Sequence, residues 1–364
     1  MQSDPSIDPA LTVALALAAG IIAQSLARHL RIPGIVLLLG AGVLLGPDLL
    51  AVIHPASLGQ GLRTLVGFAV AVILFEGGMN LNLRRLGHEA KSIRRLVTIG
   101  ALVTALGGTL CARLILGWSW SSSVLFGTIV IVTGPTVITP LLRRLRVNRN
   151  LATVLEAEGV LVDAVGAIAA VVALEVVIGP SGGALAFALW DLIYRLGFGF
   201  ALGLVGGYVI AQLLRLEKVV PEGFENIFTL SLALALFQAS NAFLPESGIV
   251  TVAIAGIVVG NVKTKALSDL REFKEQLTIL LIGMLFVLLA ADVRVEEIRS
   301  LGWAGIWTVL ALMFIVRPLN VAVSTIGSDF KMREKIFLSW IAPRGIVAAA
   351  VASLFAQTLS AEGL

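Results

Sequence analysis

Two acidic side chains stand in an otherwise apolar stretch of this chain. Within residues 151–178, the segment EGVLVDAVG places Glu158 and Asp163 five residues apart. A carboxylate in such a segment is costly unless it is paired, hydrated, or neutralised by a proton or a cation. Five residues separate the two acids by about 140° around a helix, so they cannot easily share one partner. The spacing therefore indicates two different roles.

Asp163 is the candidate for reversible ion binding. It lies about 18 Å into its predicted helix, close to the middle of a hydrocarbon layer about 30 Å thick. A small monovalent cation would be bound by hard oxygens, namely this carboxylate, the Thr133 hydroxyl and backbone carbonyls near Thr133. A proton would compete for the same negative charge. The alternative is that Asp163 is held in an ion pair with Arg344 or Arg317.

Two segments interrupt their predicted helices with glycine and proline. VTGPTVITP contains Gly134 and Pro135, and WIAPRGIVA contains Pro343 and Gly345. Proline removes a backbone donor, and free backbone groups at membrane depth are tolerated only against protein or in a water-filled cavity. Interruptions in corresponding positions of two repeats indicate the ion site of a transporter. Ordinary proline kinks in packed helices are the alternative.

The remaining intramembrane charges need partners of their own. Arg344 would be very costly without an acid, so we assign Glu158 to it as a pair that holds the two halves together. We expect Arg317, which precedes a proline, to satisfy backbone carbonyls or an acid. Glu76, in LFEGGMNL, is either an outer ligand or proton relay, or a plain structural hydrogen-bonding group.

The elements that must position these groups are membrane-spanning helices. The 364 residues are 58% hydrophobic and 14% charged, whereas a soluble domain typically has about 25% charged residues. Apolar runs of about 20 residues predict twelve spans. The predicted helices are about 9–27, 33–50, 60–82, 93–115, 120–142, 151–178, 183–214, 224–243, 246–261, 277–292, 301–326 and 336–358.

The loop charges give an orientation and exclude some functions. Of the 27 Lys and Arg, about 20 lie in the loops after the odd-numbered helices, which places those loops inside and the N-terminus outside. Because the membrane topology explains where these positive charges lie, they do not indicate a nucleic-acid-binding protein. The single Cys111 excludes an intrachain disulfide framework. No phosphate-binding loop, HExxH or multi-cysteine motif is present, and no cofactor is expected.

The sequence also contains a weak internal repeat. IVLLLGAGVLLGP resembles IVTVAIAGIVVGN, and LFEGGMNLNLRRL resembles LFVLLAADVRVEE, at an offset of about 211–214 residues. The predicted helices one to five then map onto helices eight to twelve, with helix seven as a linker. An odd linker inverts the second copy, as in many secondary transporters.

One transport domain over 1–364 would therefore consist of repeat one (about 9–178), the linker (about 183–214) and repeat two (about 222–358). Helix six has no partner in this mapping. We therefore expect a thirteenth helix after residue 358, in a natural chain that ends in the cytoplasm.

These residues carry a family resemblance. RIPGIVLLLGAGVLLGP, LFEGGMNL, the TGP interruption, EGVLVD and APRGIVAAAVASL occur in this order between about 30 and 358. The chain resembles monovalent cation:proton antiporters of the sodium/hydrogen exchanger type, in their NhaP-like bacterial branch. The resemblance implies an all-α inverted-repeat fold with two broken crossing helices and thirteen spans, of which twelve are present. It also implies a homodimer in the lipid bilayer of the bacterial inner membrane, and a C-terminal cytoplasmic region that could be regulatory.

The resemblance also assigns site residues, with two departures. The ion-site acid carries over onto Asp163, the acid five residues earlier onto Glu158, and the helix-twelve arginine onto Arg344. The family commonly has Thr-Asp-Pro where this chain has Gly134 in the middle position, and Asn-Asp where this chain has Val162 before the acid. One core carboxylate in place of two adjacent ones favours electroneutral, one-for-one exchange.

The expected function is a secondary antiporter that exchanges protons for Na⁺ or K⁺. The alternative is a gated monovalent cation channel or efflux pathway, in which the same acid selects cations without proton coupling. An intramembrane enzyme has no support, because no nucleophile–base pair or metal cluster is visible in the sequence.

Overall fold

The fold is described from a computed structural model. It covers residues 8–134, 138, 142, 147–178, 184–216, 220–221, 223–262, 267–341 and 345–361. The described residues are helices and short connections. The helices are α1 (Pro9–Leu30), α2 (Gly34–Leu45), α3 (Gln60–Asn80), α4 (Leu83–Leu116), α5 (Trp120–Ile131), α6 (Arg149–Ile178), α7 (Ala184–Leu213), α8 (Glu225–Phe243), α9 (Ser247–Asn261), α10 (Leu267–Ala291), α11 (Val295–Ser324), α12 (Met332–Trp340) and α13 (Ile346–Ala361).

The predicted segments are helical over most of their length, and α12 with α13 occupies the twelfth. Seven helices are long and apolar enough to cross a membrane, and four shorter apolar helices accompany them among the described residues. The prediction of twelve spans is therefore not settled by length and composition. The long helices are α1, α3, α4, α6, α7 (over Phe187–Leu213), α8 and α11, and the shorter ones are α2, α5, α9 and the Gln276–Ala291 part of α10.

Three predicted helix starts are wrong, each for the same reason. Helices α4, α10 and α11 begin at Leu83, Leu267 and Val295, earlier than their apolar runs predict. The additional residues are mostly polar and charged, so hydrophobicity alone excludes them, yet they form helical turns that precede the apolar runs. At the start of α4, the Asn82 side chain caps the helix by accepting hydrogen bonds from two backbone N–H groups.

The helices form two bodies that contact each other less than they contact themselves. One consists of α1–α3 and α7–α10, in which α9 packs between α3 and α7, and α10 packs against α1 and α2. We call it the glycine-seam body. The other consists of α4–α6 and α11–α13, with α4 against α5 and α11. Because it contains the two buried acids, we call it the acid-bearing body. Helix α6 belongs to the acid-bearing body and also contacts α3, α7 and α9 of the glycine-seam body.

A glycine seam joins α9 to α3 through direct backbone contact. A Cβ added at Gly256 would lie 2.2 Å from the carbonyl oxygen of Phe75. One added at Gly260 would lie 2.3 Å from the carbonyl oxygen of Met79. Since no hydrophobic effect drives helices together in lipid, small residues that allow such close approach supply much of the packing.

A second glycine seam joins α2 to α10 in the same way. A Cβ at Gly42 would lie 2.6 Å from the carbonyl oxygen of Val287, and one at Gly46 would lie 3.0 Å from that of Ala291. Each residue of this seam is separated from its counterpart in the first seam by the offset of the sequence repeat. Gly42 and Gly46 correspond to Gly256 and Gly260, and Val287 and Ala291 correspond to Phe75 and Met79. The contact pattern of the glycine-seam body is therefore two-fold.

Candidate functional site

Helix α6 places both acids in the protein interior. The relative exposure of Asp163 is 2% and that of Glu158 is 3%. The helix is surrounded because it packs against α4 and α5, α12 and α13, and also against α3, α7 and α9. Neither carboxylate faces lipid, so each must be compensated within the protein.

Glu158 is paired with Arg317 of α11. The Nη1 group of Arg317 donates to Oε1 of Glu158, and Nη2 donates to Oε2 at 3.0 Å. The same guanidinium donates from Nε to the Leu338 carbonyl at 3.2 Å and from Nη2 to the Ile341 carbonyl at 2.9 Å. One side chain thus neutralises a buried acid and satisfies carbonyls at the end of α12.

The structure assigns Arg317 as a partner of Glu158, and the predicted pairing of Glu158 with Arg344 stays a prediction. Both carboxylate oxygens of Glu158 are held by Arg317, which the planar fork of a guanidinium suits. The prediction that Arg317 satisfies carbonyls or an acid is confirmed, since it does both. Arg344 lies outside the described residues, so its partner stays a prediction.

Asp163 has no such compensation from the part of the chain that the structure describes. Its Oδ1 atom is buried without a hydrogen-bond partner, and among the described residues Asp163 forms no ion pair. The guanidinium of Arg317 is bound to Glu158, so the structure does not show the alternative in which Asp163 forms an ion pair with Arg317. An orphaned buried carboxylate oxygen in a native fold calls for an explanation, such as an ion or proton bound during function.

Thr133 offers a second orphaned oxygen close by. Helix α5 ends at Ile131, where Val132 takes an extended conformation with ψ of 119°, and Thr133 follows. The Thr133 hydroxyl is buried and has no hydrogen-bond partner among the described residues. This end of α5 lies against α6, since a Cβ at Gly166 would be 3.1 Å from the Val132 nitrogen. Gly166 is one turn beyond Asp163, so the two orphaned oxygens belong to adjoining segments.

A small cavity next to Thr133 reaches the ion pair. It has room for about one water molecule. Its polar lining comes from Thr133, Glu158, Arg317, Thr104 and Asn320. The cavity therefore connects the orphaned hydroxyl to the Glu158–Arg317 pair.

Two of these residues were missed by sequence reasoning. The Asn320 amide donates to Thr104 Oγ1 at 2.7 Å and to the Gly100 carbonyl at 3.0 Å, inside a π-helical turn of α4. A signal was present, because Asn320 lies three residues after Arg317 and so on the same face of α11. Polar side chains that recur at helical spacing in an apolar run mark the face turned to the protein interior.

The two interrupted segments touch each other. A Cβ at Gly345 would lie 2.5 Å from the Gly134 Cα and 3.0 Å from its nitrogen. The chain leaves α12 at Trp340 and resumes as α13 at Ile346, with an extended Ile341 between them. Pro135 and Pro343 lie outside the described residues. The two backbones thus come into direct contact beside Thr133.

We expect Gly345→Ala to impair both stability and any transport activity. Its methyl group would overlap backbone atoms, which cannot rotate away as a flexible side chain can, so the cost should be about 1–3 kcal/mol or more. The matched control is Gly40→Ala, where nothing lies within 4 Å of an added Cβ. Thermal unfolding of the two purified variants would compare them, and equal midpoints would contradict the close contact of Gly345 with Gly134.

Glu76 is placed in α3, half-buried, one turn before the end of the helix. Its Oε1 atom accepts a hydrogen bond from the Asn80 side chain at 3.3 Å. This contact fits the structural interpretation of Glu76, while its role as an outer ligand or proton relay stays a prediction.

The chain is similar to known proteins of one family. The family described as "Sodium/hydrogen exchanger, transmembrane" matches residues 12–363. Na(+)/H(+) antiporter 1 of Methanocaldococcus jannaschii is 29% identical over 354 residues, covering 93% of this chain and 81% of that protein. K(+)/H(+) antiporter NhaP2 of Shewanella sp. strain MR-4 is 28% identical over 343 residues, covering 92% of this chain. The chain spans 58% of the length of that relative.

A solved structure has the same fold. The sodium proton antiporter MjNhaP1 from Methanocaldococcus jannaschii, at pH 8, superposes with a TM-score of 0.86 at 26% identity. The match covers 96% of this chain and 88% of that one.

Proposed function

Because the chain belongs to the sodium/hydrogen exchanger family of transmembrane proteins, we propose that it is a secondary antiporter that exchanges protons for Na⁺ or K⁺. The names of its relatives, Na(+)/H(+) and K(+)/H(+) antiporters, support both cations as substrates. The chain is an integral membrane protein.

The observation that carries the proposal is the lone carboxylate of Asp163. It is buried with an orphaned oxygen, next to the segment that holds the orphaned Thr133 hydroxyl. Oxygen ligands of this kind suit hard cations. The neighbouring acid Glu158 is already neutralised by Arg317, which leaves Asp163 as the charge that a substrate can neutralise.

The mechanism follows from the cost of the bare charge. With a proton or a monovalent cation bound, the Asp163 site is neutral and can change its exposure from one side of the membrane to the other. Without either, the anion is costly to move through a layer of low dielectric. Exchange is therefore coupled one for one, and it moves no net charge.

Alternating access comes from movement of the acid-bearing body against the glycine-seam body. The inverted repeat supports this proposal, since transporters built in this way expose a fixed central site to each side in turn. Gly134 and Gly345 cross near the site, with Glu76 as a further ligand or relay and Arg344 as a further structural charge. We also propose a homodimer in the bacterial inner membrane, with the N-terminus outside. In this proposal a cytoplasmic region follows the span that is expected after residue 358, which is a different helix from α13.

Flux in proteoliposomes tests the proposal. A pH-sensitive dye inside vesicles should report proton movement when Na⁺, K⁺ or Li⁺ is added, and the Na⁺ and Li⁺ signals should persist when valinomycin with equal K⁺ on both sides clamps the membrane potential. Cation flux that generates current and no pH change would indicate an uncoupled channel and overturn the proposal.

A further inference from the structure

Two hydrogen bonds that join the two bodies occupy equivalent positions in the two copies of the repeat. Asp48, just after α2, accepts from the backbone N–H of Val295, the first residue of α11, through Oδ2 at 2.7 Å. Asn261, the last residue of α9, accepts from the backbone N–H of Leu83, the first residue of α4, through Oδ1 at 2.9 Å. Both pairs join the glycine-seam body to the acid-bearing body.

The two pairs are related by the internal repeat. Asp48 and Asn261, and likewise Leu83 and Val295, are separated by the offset that relates the two copies. Each pair therefore sits at an equivalent place, next to the connection from α3 to α4 or from α10 to α11. Because the copies are inverted, the two junctions lie at opposite ends of the helices.

The chemistry of both contacts is that of a helix cap supplied by a side chain from elsewhere in the chain. The first N–H groups of a helix have no partner within it. In α11 the residue before the first turn is Arg294, which provides no capping side chain, and Asp48 supplies the acceptor from outside. Asn261 is fixed further by donating to the Leu81 and Ile257 carbonyls, at 2.7 and 2.8 Å.

We infer that Asp48 and Asn261 are the pivots about which the acid-bearing body moves. In an inverted-repeat transporter the two orientations arise by exchange of the conformations of the two copies. A contact found in one copy alone would then move to the other copy when the orientation changes. A contact made in both copies at once is present in both orientations. These two contacts are of the second kind, so they persist through the cycle while contacts between them open and close.

This inference rests on the proposed function and assigns positioning residues for it. The pivots bind no ion, so they should set how fast the bodies reorient and leave affinity for the cation unchanged. Asp48→Ala and Asn261→Ala should each lower the maximal exchange rate about two- to fivefold with KM for Na⁺ or K⁺ unaltered. Asp48→Asn keeps an acceptor oxygen and should rescue the rate, whereas Asn261→Asp keeps the acceptor but loses the amide donor to the Leu81 and Ile257 carbonyls and should not rescue it. Unchanged turnover in both alanine variants, or a change confined to KM, would overturn the inference.

Cross-linking separates a pivot from a gate. In a background with Cys111 replaced by alanine, Asp48→Cys with Val295→Cys, or Asn261→Cys with Leu83→Cys, places two thiols where a side chain already reaches its partner's backbone. Oxidised protein should exchange at about the rate of the reduced protein, since a pivot stays closed throughout. A loss of about tenfold or more on oxidation, restored by reductant, would show that the contact must open and would overturn the inference. Absence of exchange in the reduced protein and in the unmodified chain would instead contradict the proposed antiport.

Discussion

Asp163→Asn is expected to reduce cation-driven proton movement to the background of empty vesicles. Asparagine keeps the size and an oxygen of the side chain but carries no charge, so proton and cation no longer compete for it. The site would then be neutral in every state and nothing would couple the two fluxes. The measurement is dye-reported pH change in proteoliposomes upon addition of Na⁺ or K⁺.

A second readout does not depend on vesicles. A ligand that binds only the folded state stabilises it by about 2.7 kcal/mol at a concentration of about one hundred times its Kd. The unmodified protein should therefore gain thermal stability with added cation, and Asp163→Asn should not. Without cation the variant should be at least as stable as the parent, because a buried carboxylate with an orphaned oxygen is removed.

The matched control is Glu175→Gln on the same helix. Glu175 lies near the end of α6, its side chain is 51% exposed, and it is paired with Arg195 of α7 at 2.9 Å. The same loss of charge there should leave exchange close to that of the parent. Normal exchange by Asp163→Asn, or equal loss in both variants, would contradict the assignment of Asp163.

Arg317→Ala is expected to destabilise the fold by about 3–5 kcal/mol. It would leave Glu158 ionised in the interior without a countercharge and would release the Leu338 and Ile341 carbonyls at the end of α12. Arg317→Lys should be intermediate, because a single ammonium cannot reproduce the planar fork. Thermal unfolding and the yield of folded protein from membranes would measure the effect.

A control and a double variant make the Arg317 result specific. Arg113→Ala removes an arginine at the end of α4 that lies over the Trp120 ring, 5.4 Å from its centroid, and it should cost only about 1 kcal/mol. Glu158→Gln combined with Arg317→Gln removes both charges and should recover part of the stability lost in Arg317→Ala. Equal destabilisation by Arg317→Ala and Arg113→Ala would contradict the structural role of the pair.

The sequence predicts the helices well because lipid leaves few alternatives. Runs of about 20 apolar residues must be helical in a bilayer. The first eleven predicted segments correspond to α1–α11 apart from their ends, and the twelfth corresponds to α12 and α13 together. The charged starts of α4, α10 and α11 were missed because hydropathy detects the apolar layer and not the helix itself. Capping residues such as Asn82 carry that information and deserve equal weight in reading the ends.

The sequence identifies the residues of the candidate site better than it identifies the contacts between them. Burial of Glu158 and Asp163 follows from their apolar surroundings, and different roles follow from their spacing. That Arg317 is a partner of Glu158 could not be predicted, because it depends on how α6, α11 and α12 approach one another. Periodicity within one helix contains no information about such distances between helices.

Close backbone contact within each body determines how the protein should respond to extraction from its native lipid. Such contact is not confined to the glycine-seam body, since a Cβ at Gly127 of α5 would lie 2.4 Å from the Ala105 carbonyl oxygen of α4. Contacts between the two bodies are fewer than contacts within them, so short-chain detergents should loosen the interface between the bodies before either body. Limited proteolysis in such micelles should then leave two resistant sets of fragments, one from each body.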